Sequence, residues 1–186
     1  MADRASTKKL IEQSFIELSN MKNVDKITIR DIVEHCGLTK TTFYNHFQDK
    51  YDLIVQIYAE PVKNIVNRFD ANYGLREAIA DVLNYSADNR RFIINALKNT
   101  SGQNSFLYHV SKIHFTLLRD FVQAKIGATR LPLRTESLLK LYAFGSVQLI
   151  CEWLIKKMPV PLDEFAEHLY AGLPEELKRY FCGEKI

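Results

Sequence analysis

The stretch Thr39-Lys40-Thr41-Thr42-Phe43-Tyr44-Asn45-His46-Phe47 packs many hydrogen-bonding groups into nine residues. Phe43 and Phe47 stand at i and i+4, which is one narrow apolar face of a helix. Lys40, Thr41, Thr42, Tyr44, Asn45 and His46 are left on the other faces. An ammonium, three hydroxyls, an amide and an imidazole are the donors that suit phosphate oxygens and base edges. A helix that packs inward through so few residues leaves the remainder free to enter a major groove. The implied chemistry is non-covalent recognition.

Other reactive residue types are present without a pattern. Five histidines invite a metal or catalytic reading, but His109 and His114 are five apart, and His168 follows Glu164 with no further ligand in sight. Cys36, Cys151 and Cys182 are scattered and odd in number, which fits a reducing compartment and excludes a disulfide scaffold. No nucleophile elbow, phosphate-binding loop or dinucleotide fingerprint occurs. The expectation is therefore no catalytic residue, no metal, no cofactor and no enzyme.

The elements that must position the 39–47 segment are helical. Leu10, Ile11, Phe15 and Leu18 mark one face of a helix from Ser6 to Ser19. Thr28 starts a second, with Asp31 in capping-box position, and Gly37 ends it. Thr39 caps the third helix and Asp49 a fourth, which Pro61 kinks or ends. Further helices are expected over Leu75–Tyr85, Arg91–Leu97, Phe106–Ile126, Glu136–Lys157 and Leu162–Ala171. Two short helices joined through Gly37 describe a helix-turn-helix. With only 7 Gly and 5 Pro in 186 residues, a β-sandwich lacks its turns, and the class is all-α.

Residues Ile27 to Leu53 resemble the TetR family of bacterial regulators. Thr28-Ile29-Arg30-Asp31-Ile32-Val33 looks like that family's first motif helix, and Gly37 to Phe47 like its turn and recognition helix. Asp49-Lys50-Tyr51-Asp52-Leu53 resembles its fourth-helix start. The stretch Gly102-Gln103-Asn104-Ser105-Phe106-Leu107 looks like the branch that includes dihydroxyacetone kinase operon activators. The resemblance implies an N-terminal three-helix DNA-binding domain (1–50) and a larger helical domain (51–186) for dimerisation and effector binding. It implies phosphate contacts from Thr28, Thr42, Tyr44, His46 and Lys50, and base contacts from Lys40, Thr41 and Asn45.

Residues 1–50 hold eight Lys/Arg and seven Asp/Glu, so their basic groups must cluster in space to favour a polyanion. Arg4, Lys8 and Lys9 are candidates for added phosphate contacts. The helix from Glu136 to Lys157 is apolar on nearly its whole circumference, which calls for burial all round. One face then belongs to the core and another to a second copy of the chain, with Gly145 and Ser146 allowing close approach and Leu149 and Trp153 adding contact. The central helix of a monomer would carry the same pattern. Tyr108, His109, His114, Tyr142 and Gln148 are polar groups among apolar stretches and candidates for lining an effector pocket.

The apolar run Leu141–Ile155 is 15 residues, short of the ~20 that span a bilayer. Met1 to Arg4 leads into a charged helix, unlike a signal peptide or an acylation site. These features point to a cytoplasmic protein with no membrane, and the resemblance implies a homodimer on palindromic double-stranded DNA, modulated by a small molecule or a protein partner. The alternative is a helical sensor or interaction protein that no longer binds DNA.

Overall fold

The computed structural model describes residues 4–69 and 73–181; Cys182 and its expected free state lie outside them. In chain order the helices are α1 (Arg4–Ser19), α2 (Ile29–His35), α3 (Lys40–Tyr44), α4 (Lys50–Val66), α5 (Leu75–Asp88), α6 (Arg90–Lys98), α7 (Phe106–Ile126), α8 (Leu133–Ile155), α9 (Leu162–Ala171) and α10 (Glu175–Phe181). Short 3-10 turns occupy Val24–Lys26 and Gly102–Asn104, and there is no strand among the described residues.

Packing divides the chain into two units, and not by a single cut at residue 50. One contains residues 1–58 together with 89–106; the other contains 59–88 together with 107–186. In the first, α1 packs on α2, α2 on α3, and α6 on α1. Its core is Ile11, Phe15, Ile32, Phe43, Leu53 and Ile54, joined from α6 by Phe92. The rings of Phe15 and Phe92 meet edge to face at 6.2 Å, and Phe43 and Phe47 lie 5.5 Å apart. Burying each such ring stabilises by roughly 1.5–3 kcal/mol.

In the second unit α5 runs along α9, and α8 is covered by α5 and α10. Leu118, Val122, Leu139, Ala143, Leu177 and Phe181 form its core. The ring of Phe181 stacks on Phe121 at 5.5 Å. α10 was not anticipated: its seven residues carry too short a pattern to stand out from a charged tail.

Two boundaries differ from expectation for physical reasons. Of the two outcomes expected at Pro61, a kink or an end, the end does not occur: α4 continues through it to Val66. Its missing N–H costs one helical bond, and the buried neighbours Leu53, Ile54, Ile57, Tyr58 and Val62 hold the helix together. α8 is 23 residues long, from Leu133 to Ile155, so shortness does not argue against a membrane span: by length and composition the helix is long and apolar enough to cross one. It carries instead the buried face of a core helix, with Leu139, Ala143, Val147 and Leu154 almost fully enclosed.

Candidate nucleic-acid interface

α2 begins with a reciprocal cap. The Thr28 hydroxyl accepts from the Asp31 N–H at 3.1 Å, while Asp31 Oδ2 accepts from the Thr28 N–H at 2.7 Å and from its hydroxyl at 2.9 Å. The Thr28 backbone N–H and then Lys22, 3.0 Å away, hold the Asp31 carboxyl at about 2. Its contribution to stability is in force above the ordinary value of 3.8 and is lost as the pH falls through about 2. Thr28 therefore has its hydroxyl proton committed to a cap, and in this arrangement does not offer it to a phosphate.

Gly37 turns the chain into α3. Its φ of +68° suits a glycine, and Leu38 N–H closes the turn on Val33 O at 2.8 Å. A Cβ at this position meets nothing within 4 Å, so only the backbone conformation opposes a side chain. Gly37→Ala is expected to lower the unfolding free energy by about 1–2 kcal/mol, read as a shifted urea midpoint at unchanged slope. An unshifted midpoint would show that the left-handed turn is dispensable.

Thr39 caps α3, accepting from the Thr42 N–H at 3.1 Å, with the two hydroxyls 2.9 Å apart. The helix is short. Regular helix ends at Tyr44, though Phe47 N–H still reaches Phe43 O at 3.0 Å. Phe43 and Phe47 are buried, and Lys40, Thr41, Tyr44 and Asn45 are exposed together. Tyr44 stands edge-on to Phe43 with 56% of its surface free. His46 is half-buried, and its imidazole is held below the usual value by burial, then by the charges of Arg4 and Lys8. Arg4 donates to Asn45 O at 3.3 Å, and Lys8 lies over the Phe47 ring at 5.8 Å. These two cations of α1 thus gather at the C-terminal end of α3, clustering that the linear charge count conceals.

Lys50 is a correction. Its ammonium donates to Val24 O (2.9 Å), Asp25 O (3.1 Å) and Ile27 O (2.8 Å), and burial lowers its pKa. It ties the start of α4 to the chain entering α2 and is engaged there rather than held out toward a phosphate. Asp49 does cap α4, accepting from the N–H groups of Tyr51 and Asp52 at 2.7 and 2.8 Å. From α6, Asn95 grips the same connection. Its amide donates to Ser19 O (2.7 Å) and Lys22 O (3.0 Å), and its oxygen accepts from the Val24 N–H at 3.1 Å. Sequence reasoning missed Asn95, since a single polar residue on an amphipathic helix carries no signal of partners more than 70 residues away.

In the other unit, α4, α5, α7, α8 and α9 line a cavity of about 50 Å³. His114, Tyr142 and Ser146 are among the residues that line it. Tyr108, His109 and Gln148 do not. Tyr108 is 52% exposed and packs its ring on Phe144, and exposed Gln148 donates to Glu152 at 3.1 Å. The α8 residues proposed to meet a second copy separate likewise. Leu141 (71% exposed), Gly145 and Leu149 (51%) form an open stripe at fourfold spacing. Trp153 is buried, with its indole donating to Val160 O at 2.9 Å and its ring stacked on Phe165 at 5.1 Å. At ~100° per residue it lies about 80° around the helix from Gly145, enough to bring it onto α9. It is a core residue, and Ser146 faces the cavity.

Among the described residues there is no group of three or more His, Cys, Asp and Glu placed to hold a metal ion. Cys36 donates to Ile32 O at 3.2 Å, and burial pushes the Cys151 thiol up to about 12.

Comparison with known proteins adds three findings. The family described as "Bacterial regulatory proteins, tetR family" matches residues 16–57, and that described as "Transcriptional regulator C-terminal region" matches residues 75–173. The HTH-type dhaKLM operon transcriptional activator DhaS of Lactococcus lactis is 27% identical over 86 residues, a stretch covering 46% of this chain and 46% of that protein. Among solved structures, a dihydroxyacetone kinase operon activator DhaS superposes with a TM-score of 0.66 at 20% identity, over 94% of this chain and 98% of that one. A TetR transcriptional regulator from Streptococcus agalactiae superposes with a TM-score of 0.64 at 16% identity, over 92% and 96%.

Proposed function

The chain belongs to the TetR family of bacterial transcriptional regulators, and from that premise we propose that it acts in the cytoplasm as a homodimer on a palindromic operator, through the 39–47 segment. The observation that carries this is the exposed group Lys40, Thr41, Tyr44 and Asn45, held outward by buried Phe43 and Phe47. Arg4 and Lys8 stand at the end of the same helix. In this reading Lys40, Thr41 and Asn45 read base edges, and Thr42, Tyr44 and His46 hold phosphates. Two-fold symmetry places two such helices on half-sites about one helical turn apart, roughly 34–36 Å, or a multiple of it. The open stripe on α8 supports the dimer, and the cavity among α4, α5, α7, α8 and α9 supports an effector bound in the C-terminal region.

Selection from randomised duplexes tests the assignment. Asn45→Ala and Lys40→Ala are each expected to relax the preference at their own base position, at a cost of about 1–3 kcal/mol there. An identical preferred sequence for wild type and both variants removes these residues from base contact. Failure of the wild type to bind any duplex at low salt favours a sensor that acts through a protein partner.

A further inference from the structure

We infer that a surface groove between the end of α7 and the start of α8 takes a small zwitterion, a free amino acid, between Arg130 and Glu136. The groove has a volume of about 510 Å³ and is lined by Arg119, Gln123, Thr129, Arg130, Leu131 and Glu136. It shares no residue with the cavity among α4, α5, α7, α8 and α9, and nothing in it depends on DNA. Gly127 ends α7 with a φ of +64°, and the Ala128 N–H closes the turn on Gln123 O at 3.0 Å. The Gln123 side chain then donates to Thr129 O at 2.7 Å. One residue of α7 so pins the loop at two points, and Arg130 follows the second directly. The wall is held in place before a ligand arrives, which spares the ligand the cost of ordering it.

The charges in the wall select the ligand. Arg119 turns Nε and Nη2 onto Asp120 Oδ1, at 2.9 and 2.7 Å, so its charge is already answered. Arg130, exposed in the loop, and Glu136, half-buried in the first turn of α8, are different. Among the described residues neither has an ion pair or a side-chain hydrogen bond. Their charged atoms stand more than 4 Å apart while lining the same groove. A lone anion gains from Arg130 and is repelled by Glu136, and a lone cation meets the reverse. A molecule that carries both a carboxylate and an ammonium answers both ends at once. Its carboxylate takes the planar fork of the Arg130 guanidinium, and its ammonium donates to the Glu136 carboxylate. Both pairs remain open to water, so the binding is weak, with a Kd on the order of millimolar.

Two zwitterions, glycine and 4-aminobutyrate, bracket the separation of the two charges. Acetate and methylammonium are the single-charge counterparts of the first, and butyrate and butylammonium of the second. Each is titrated into the full chain at pH 7 and constant ionic strength, and followed by amide chemical shifts. At least one zwitterion is expected to shift the amides of residues 119–136 and to bind at least five-fold more tightly than both of its counterparts. Arg130→Gln and Glu136→Gln each remove one charge at nearly constant volume. Each is expected to weaken that binding at least five-fold with the melting temperature unchanged. No response to either zwitterion at any soluble concentration overturns the proposal, as does a counterpart ion that binds as tightly. Binding that survives both substitutions, or shifts confined to cavity residues such as Val62 and Val82, overturns it too.

Discussion

Lys50→Met is expected to destabilise the N-terminal unit by about 2–4 kcal/mol and to weaken binding to every duplex, while leaving the salt dependence of binding unchanged. Methionine keeps most of the apolar stem and removes the ammonium. Three carbonyls, of Val24, Asp25 and Ile27, then lose their donor. A hydrogen bond to a charged group contributes about 1.5–3 kcal/mol. Three on one half-exposed ammonium share that strength instead of adding. The connection they hold leads directly into Thr28 and α2, so its loosening reaches the helix that supports α3. A phosphate contact would behave differently: its loss lowers the slope of log affinity against log salt by roughly 1 and leaves the melting temperature alone. Thermal unfolding and a salt titration therefore separate the two roles. A reduced slope with an unchanged melting temperature would return Lys50 to the DNA.

The second large effect is expected at Gly145. Leu141, Gly145 and Leu149 present an open stripe on α8, and a Cβ at 145 meets nothing within 4 Å. Within one subunit, then, Gly145→Arg finds room, and Arg is the better helix former. Between two subunits the case is reversed. A two-fold contact buries the same stripe twice, so each substitution places two guanidinium groups in one seam. An unpaired buried charge costs roughly 3–5 kcal/mol, which is two to three powers of ten or more in association. The variant is expected to run at the 21.6 kDa monomer mass with its melting temperature undiminished by misfolding, while the wild type runs at twice that mass. Operator affinity falls with it, although no DNA-facing residue has changed. Light scattering coupled to size exclusion reads the masses. A wild type that is already monomeric at micromolar concentration, or a variant that keeps the dimer mass, would move the interface elsewhere.

What was legible in the sequence was local. Thr28 with Asp31, Thr39 with Thr42, and Asp49 with the amides of Tyr51 and Asp52 are partners within three residues, and each cap stands where the spacing placed it. The i, i+4 pair Phe43 and Phe47 fixed which side of α3 is buried for the same reason. Lys50 and Asn95 were opaque because their partners lie 23 or more residues away and are backbone carbonyls and amides, which no side-chain pattern announces. α8 was opaque in another way. A helix apolar on all sides has no phase, so Leu149, Ser146 and Trp153 could not be distributed among stripe, cavity and core until α9 was in place. Its end was hidden too. Lys157 and Met158 both take positive φ, 62° and 56°, at a position where a glycine would have been the signal.

The passage of the chain through α6 has a consequence for recombination between relatives. Residues 89–106 belong to the same packing unit as residues 1–58, although 30 positions of the other unit separate them in the gene. A crossover at residue 50, or at 58, carries Phe15 and Val24 from one parent and Phe92 and Asn95 from the other. It splits a ring contact of 6.2 Å and the three hydrogen bonds by which the Asn95 amide holds Ser19, Lys22 and Val24. A reading head transplanted with one cut arrives without its own back wall. The transferable piece is discontinuous, and chimeras that exchange operator specificity need two junctions more than the linear map suggests, one near Asp88 and one near Phe106.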